Sequence, residues 1–272
     1  MAIRALAFPA ALAAVVSIVG CGATSPPAPR TAVAPSAGGA MPTTPRPLSR
    51  RLLTADHALR DGVGRWRARP GAPGSIPPAR VRADAAYFKR AVELLSTRRR
   101  LVAATAARLP PRLARNLGDL TVARRDLRAL AAGWPAHRVR TGAPTPLGRL
   151  VRSYRRAQER FGVDWRYLAA INLVESAFGR VRSRSVAGAR GPMQFMPASW
   201  RAYGLGGDVN DPRDAILGAA NLLRRAGAPG DYARALHAYN PSRLYVDAVS
   251  RYARAIRRGP DVLYLLYSWP AG

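Results

Sequence analysis

One glutamate, Glu175, closes an otherwise largely apolar stretch, YLAAINLVESAFGR, at residues 167–180. Leu168 lies seven residues before it and Ile171 four before it, so on a helix all three share a face. Trp165, Ala169, Ala170, Leu173 and Val174 make the segment 165–176 apolar nearly all round, the mark of a buried helix. A carboxyl carried into such surroundings loses hydration. Its charged form is disfavoured and its pKa rises above the free value of about 4.3. A carboxylic acid still protonated near neutral pH can protonate a leaving oxygen. The residues alone equally allow a plainer arrangement, a helix-end ion pair of Glu175 with Arg180 or Arg182.

Two further clusters carry chemistry-bearing side chains. AGARGPMQFMPASW (187–200) sets glycines and a proline beside Met193, Gln194, Phe195 and Met196. Glycine-rich backbone approaches a ligand closely, and Gln194 offers a donor and an acceptor together, which suits sugar hydroxyl and acetamido groups. HAYN (237–240) places Tyr239 and Asn240 at the end of a later helix that Pro241 stops. A Met and aromatic run also has an ordinary reading as core. Tyr203 and Tyr245 are further aromatics near these clusters that the sequence gives no reason to assign to a site.

The elements that must position these residues read as helices. Asp164 is placed to cap the helix 165–176. Asp211, Pro212 and Asp214 form a cap, first position and first-turn charge for another helix, which Gly227 can end. RLVRSYRRAQERF, DYARALHAYN and SRLYVDAVSRYARAIRR complete the set after 145, and nothing there alternates with period two. Ahead of TGAPTPLG (141–148), which reads as a boundary, residues 79–109 present Val81, Ala85, Phe88, Val92 and Leu95 on one face. Residues 112–132 repeat the pattern with leucines, so a helical hairpin is expected. The fold class is all-α.

The wider composition bounds the setting. Of 44 basic and 15 acidic residues, giving a formal charge of +29, only Lys89 is a lysine. This balance is consistent with a solvated arginine surface or with attraction to polyanions; no zinc-finger or RNP-type motif supports nucleic acid as the partner. His57 and His137 stand alone, and no metal or cofactor motif is present. Arg4 and the apolar run 5–19 fit the start of an export signal and are short for a membrane span. Cys21 is the one cysteine, and IVGC (18–21) resembles a bacterial lipoprotein processing box, implying cleavage before Cys21 and its lipidation. Residues 22–47 are rich in Pro, Ala, Gly, Ser and Thr and read as an extended tether with a reach of several tens of Å, at about 3.1 Å per residue. The expected organisation is a signal peptide at 1–20, a tether at 21–50, a helical N-terminal region at 51–140, a helical domain at 146–258 and a C-terminal tail at 259–272.

The order "ES", then "GARGPMQF", then "AYN" resembles the lysozyme-like lytic transglycosylase family, and GxMQF with GGDVNDPRDAI is most similar to its membrane-bound bacterial members. The likeness covers Pro146 to Arg258; it departs at Pro192, where the family often has leucine. The resemblance implies a lysozyme-like domain acting on peptidoglycan without a cofactor, from a protein lipid-anchored at the membrane and facing the wall. It implies that Glu175 is the sole catalytic acid/base and that Ser176 positions substrate or glutamate. Met193 and Gln194 would line the cleft, and Tyr239 and Asn240 would hold the acetamido group or the glutamate. Glu175 would protonate the oxygen leaving C1 of N-acetylmuramic acid and then take the proton of the attacking C6 hydroxyl, leaving a 1,6-anhydro end. The composition is compatible with this: Glu93, Glu159 and Glu175 are the only glutamates, and the aspartates after 175 sit mostly at cap or first-turn positions. A conventional glycosidase needs a second carboxyl about 5 Å or 6.5–9.5 Å away. Alternatives are a lysozyme-type hydrolase of the same bond, a non-catalytic wall-binding lipoprotein whose N-terminal helices dock a partner, and a nucleic-acid binder, which export disfavours.

Overall fold

A computed structural model describes residues 40–69, 71, 74, 76–132 and 139–270. The apolar run 5–19, Cys21, the tether to residue 39, and His137 lie outside them. Among the described residues the structure is eleven helices and no sheet, with two isolated bridges, Thr141 to Val181 and Arg190 to Phe195. The all-α expectation holds. Among these residues no helix is long and apolar enough to cross a membrane.

Helix α1 (Pro45–Arg67) begins inside the segment read as tether. Pro45 supplies the fixed φ that suits a first helical turn. Leu48, Leu52, Leu59, Val63 and Trp66 then recur at helical spacing and are buried. The tether reading of 45–50 is therefore corrected: Leu48 and Leu52 already offer an apolar stripe to bury. At Gly62 a Cβ would come within 2.9 Å of Val81 Cγ2, so α1 approaches α2 (Ala79–Ser96) closely there.

The stretch 79–109 is not one helix. It breaks after Ser96, and α3 (Arg99–Ala106) starts afresh. Ser96 Oγ and Thr97 Oγ1 donate to the carbonyls of Glu93 and Leu94 at 2.7 and 3.0 Å, taking up main-chain acceptors that a continuing helix would use. Helix α4 (Pro111–Ala131) opens on Pro111. Its main packing partner is a helix far along the chain, α10 (Arg243–Arg258).

The second half comprises α5 (Leu147–Phe161), α6 (Trp165–Ser176), α7 (Pro197–Tyr203), α8 (Pro212–Arg225), α9 (Tyr232–Tyr239) and α10. The aspartate caps form as the sequence predicts. Asp164 accepts from the Arg166 N–H, Asp211 from those of Arg213 and Asp214, and Asp231 from that of Arg234. Ten of the twelve residues of α6 are buried, including Glu175 and Ser176, so this helix is the spine of the domain.

Residues 259–272 are not a tail. Helix α11 (Pro260–Tyr267) buries Val262, Leu263, Leu265, Leu266 and Tyr267. Tyr264 meets Trp66 of α1 edge to face at 5.3 Å, while Tyr267 lies on Phe178 and donates to the Thr145 carbonyl at 3.1 Å. The boundary at 141–148 is likewise packed. Arg182 N–H reaches the Arg140 carbonyl at 2.9 Å, Gly142 N–H the Arg180 carbonyl at 2.9 Å, and Thr145 N–H the Phe178 carbonyl at 3.0 Å. The N-terminal helices, the connecting strip and α11 thus close around the end of α6 that carries Glu175.

Candidate active site

Helix α6 ends abruptly just past Glu175. Ala177, Phe178 and Gly179 all take left-handed backbone (φ 50, 63 and 79°). Such a run is costly for residues with a Cβ. It is held by main-chain bonds from Ala177 N–H to Leu173 O and from Phe178 N–H to Asn172 O, and by burial of the Phe178 ring. A Cβ at Gly179 would fall 2.9 Å from Thr145 Oγ1, so the turn is also filled from the outside.

Behind the turn lies a buried polar network. Tyr154 donates to Asn172 Oδ1 at 2.6 Å, and Asn172 Nδ2 and Ser176 Oγ both donate to the Pro192 carbonyl, at 2.7 and 2.6 Å. Ser176 Oγ also accepts from the Gly179 N–H at 2.9 Å. Ser176 has no solvent exposure. Its hydroxyl is occupied by the loop and the turn, so a direct substrate contact by Ser176 is corrected to a structural tie between α6 and the loop at 190–195.

That loop is a tight reversal closed by the Arg190–Phe195 bridge. Gly191 has φ 74°, and a Cβ there would sit 1.9 Å from the Val209 carbonyl oxygen, so no other residue fits. Met193 is fully buried. Its side chain belongs to the core and does not line a cleft; its carbonyl is what matters, accepting from Tyr239 Oη at 2.6 Å. Gln194 sits at φ 48°, its Nε2 donates to the Gly191 carbonyl, and its Oε1 is buried with no partner. Asn240 ends α9 in extended backbone, with Oδ1 accepting from the Ser242 N–H at 3.2 Å.

Glu175 is 4% exposed. Its carboxylate oxygen Oε1 accepts from the Tyr245 hydroxyl at 2.8 Å. The Tyr245 ring lies parallel to that of Tyr239, 6.3 Å away, and Phe195 meets Tyr239 edge-on at 5.8 Å. Tyr245 therefore belongs to the site. The sequence offered one signal for it: a tyrosine on the buried face of a helix needs a partner for its hydroxyl. Tyr203 does not join the group; its carbonyl serves Asn221.

The ion-pair reading of Glu175 is overturned. Arg180 donates to the carbonyls of Ala177 and Tyr267, and Arg182 to that of Ala143. Burial instead pushes the Glu175 carboxyl from its ordinary 4.5 up to about 8, against the pull of the Tyr245 hydrogen bond, which favours the carboxylate. Burial, and then the adjacent Glu175, also raises the phenols of Tyr239 and Tyr245, which keeps them donors. The six aspartates after Glu175 are engaged elsewhere. Asp208 and Asp214 order the turn before α8, Asp211 and Asp231 cap helices, Asp247 pairs with Arg251 and Asp261 with Arg112.

Sequence comparison gives a concordant picture. Residues 152–257 match the Transglycosylase SLT domain. The chain is also 33% identical over 126 residues to the membrane-bound lytic murein transglycosylase F of Thiobacillus denitrificans, across 43% of this chain and 26% of that protein. It thus spans about a quarter of that relative's length. No solved structure gives a significant match. A buried glutamate at the end of a core helix, faced by a glycine-bent MQF loop and a tyrosine pair, coincides with the matched segment: residues 152–257 are a transglycosylase SLT domain.

Proposed function

We propose that this domain cleaves the bond between N-acetylmuramic acid and N-acetylglucosamine in peptidoglycan, leaving a 1,6-anhydro-muramic end, with Glu175 as its single acid and base. One observation carries the reading: Glu175 is buried, neutral at pH 7, held by a phenol, and not paired with any second carboxyl among the described residues. The 4% of its surface left open is where a glycosidic oxygen reaches it.

The protonated Glu175 transfers its proton to the oxygen leaving C1, and the C1–O bond breaks. The sugar's own acetamido oxygen supports the cationic C1. Glu175, now a carboxylate, keeps the Tyr245 hydrogen bond, which is stronger to an anion than to a neutral acid. It then removes the proton of the C6 hydroxyl as that oxygen bonds to C1. The proton count is restored and no water is consumed. Attack within one sugar ring profits from proximity. Gln194 Oε1, buried and unpartnered, is an acceptor for a sugar N–H or O–H, and Asn240 stands by the tyrosine pair to take the acetamido group. Tyr239 and Ser176 hold the loop that presents Gln194. The wall-facing, membrane-anchored location rests on Cys21: exchange to alanine should release the protein from the membrane fraction.

The deciding experiment is a mass spectrum of peptidoglycan digested by the wild type and by Glu175→Gln. Anhydro-muropeptides from the wild type alone are expected. Reducing-end products instead would make the protein a hydrolase of the same bond. Equal products from both proteins would remove Glu175 from the chemistry, and wall binding with no release by either would leave a binding protein.

A further inference from the structure

The seam between α4 and α10 is polar along one edge. On α10, Asp247, Arg251, Arg254 and Arg258 recur at spacings of four, three and four, a single face of the helix. On α4 the facing residues are Asn116, Asp119 and Asp126. Asp119 is 7% exposed and receives three guanidiniums: Arg251 at 3.0 Å, Arg254 at 3.3 Å, and Arg258 on its second oxygen. Arg258 also donates to Asn116 Oδ1 at 3.0 Å. Arg251 reaches back to Asp247 at 2.6 Å, and Asp247 lies against Asp126. High numbers on α10 meet low numbers on α4, so the two helices run antiparallel. Beside this edge, Leu117, Leu120 and Ala123 pack under Val249, Tyr252 and Ile256, an apolar surface that alone would tolerate sliding.

A buried charged group at a helix interface fixes register, because a slip of one turn, about 5.4 Å, leaves it without its partners. Register matters here because α10 begins with Tyr245. A shift of about 1 Å along the axis takes a 2.8 Å hydrogen bond to Glu175 out of range. Asp119 lies outside the SLT match, in a region to which neither the family match nor the sequence motifs give a role.

We infer that Asp119 is a positioning residue of the active site: by gathering Arg251, Arg254 and Arg258 it sets the axial place of α10, and with it the Tyr245 hydroxyl on Glu175. The N-terminal helices are then part of the catalytic body and not a separate docking module. The inference rests on Glu175 being the acid, as proposed above, but its test does not need turnover.

The test is a carbon-13 titration of the Glu175 carboxyl in the full chain for wild type, Tyr245→Phe, Asp119→Asn and the double variant. Tyr245→Phe removes a bond that favours the carboxylate, so the titration midpoint rises. If Asp119 acts through Tyr245, Asp119→Asn raises it as well, and the double variant matches Tyr245→Phe. Mere loss of a negative charge would act in the opposite direction and lower the midpoint. A midpoint that is unchanged or lowered in Asp119→Asn, or shifts that add in the double variant, overturns the inference. Cooperative melting is checked for each variant. Should Asp119→Asn not fold, Asn116→Ala, which removes only one bond to Arg258, is expected to raise the midpoint by a smaller amount, and no rise would overturn the inference. Where turnover is measured, kcat falls about tenfold in Asp119→Asn with KM held. A wild type that yields no anhydro product would defeat the proposed reaction while the titration still reads the positioning.

Discussion

Two carboxyls are buried almost equally in this molecule, Glu175 at 4% and Asp119 at 7% exposure, and they sit in opposite surroundings. Three guanidiniums surround Asp119. Glu175 has apolar side chains and one phenol. Burial alone therefore does not make an acid. A carboxyl met by cations remains an anion and locks two helices together, whereas one met by a neutral donor is pushed to about 8 and holds a proton to give away. In a chain of +29 formal charge, the unusual achievement of the fold is keeping arginine off Glu175. The two nearest in sequence, Arg180 and Arg182, are turned onto carbonyls by the left-handed run that ends α6.

The sharpest break of that contrast is Glu175→Gln. A general acid contributes about 10²–10⁴-fold, and the same side chain serves twice, so product formation should fall by at least about 10³-fold with the helical signal intact. Loss of that signal would make Glu175 structural. The same variant exposes a stability cost. The native state holds a proton on Glu175 that the unfolded chain releases above 4.5. Its contribution to stability is therefore full below pH 4.5 and is lost as pH rises to about 8. At about 1.4 kcal/mol per decade the ceiling is about 5 kcal/mol. Thermal melting of the wild type should decline over that window more steeply than that of Glu175→Gln; parallel curves would place the titration elsewhere.

Tyr245→Phe is the next largest. It removes the single polar partner of Glu175, and activity should fall about 10- to 100-fold. The alkaline limb of the pH–rate profile should move above 8, because the lost bond favoured the carboxylate. A limb that moves down would mean that water replaces the phenol. Ser176→Ala should follow, at about 1–3 kcal/mol of stability, since it strips the Gly179 N–H of its partner and leaves Pro192 with Asn172 alone. Denaturant melting measures it, and a neutral result would show that the loop at 190–195 stands without this tie.

Legibility followed the range of the forces. Local signals worked: Asp164, Asp211 and Asp231 cap where their spacing says, and the apolar wrap of α6 gave away its burial and that of Glu175. Signals completed at a distance did not. On α10, Tyr245 falls in with Ala248, Val249, Tyr252 and Ile256 and looks like core; its hydroxyl finds Glu175 seventy residues back. Asn172 is a polar residue within an apolar run, and its partners, Tyr154 and Pro192, come from two other elements. Met193 and Ser176 were placed at the substrate by their motifs, yet motif position does not say which atom faces the ligand. Residues 259–272 were read as a tail because the recognisable motifs stop at 258, although VLYLLY is too apolar to lie in water and is buried as α11.

The smallest expected effect tests redundancy. Glu175 has one partner, so any loss is felt; Asp119 has three, so one should be dispensable. Arg254 is the candidate, 46% exposed and 3.3 Å from the carboxylate. Its bond is screened by water, and it also repels Arg251 and Arg258 across the shared oxygen atoms. Replacing it with glutamine removes attraction and repulsion together, and the stability change should stay below about 0.5 kcal/mol in either direction. Chemical denaturation at low and high salt reads the balance: the small difference should shrink further as salt rises. A loss above about 1 kcal/mol that persists in high salt would mean that Asp119 needs all three arginines, and the contrast between a shared anion and a solitary acid would narrow to a difference in charge alone.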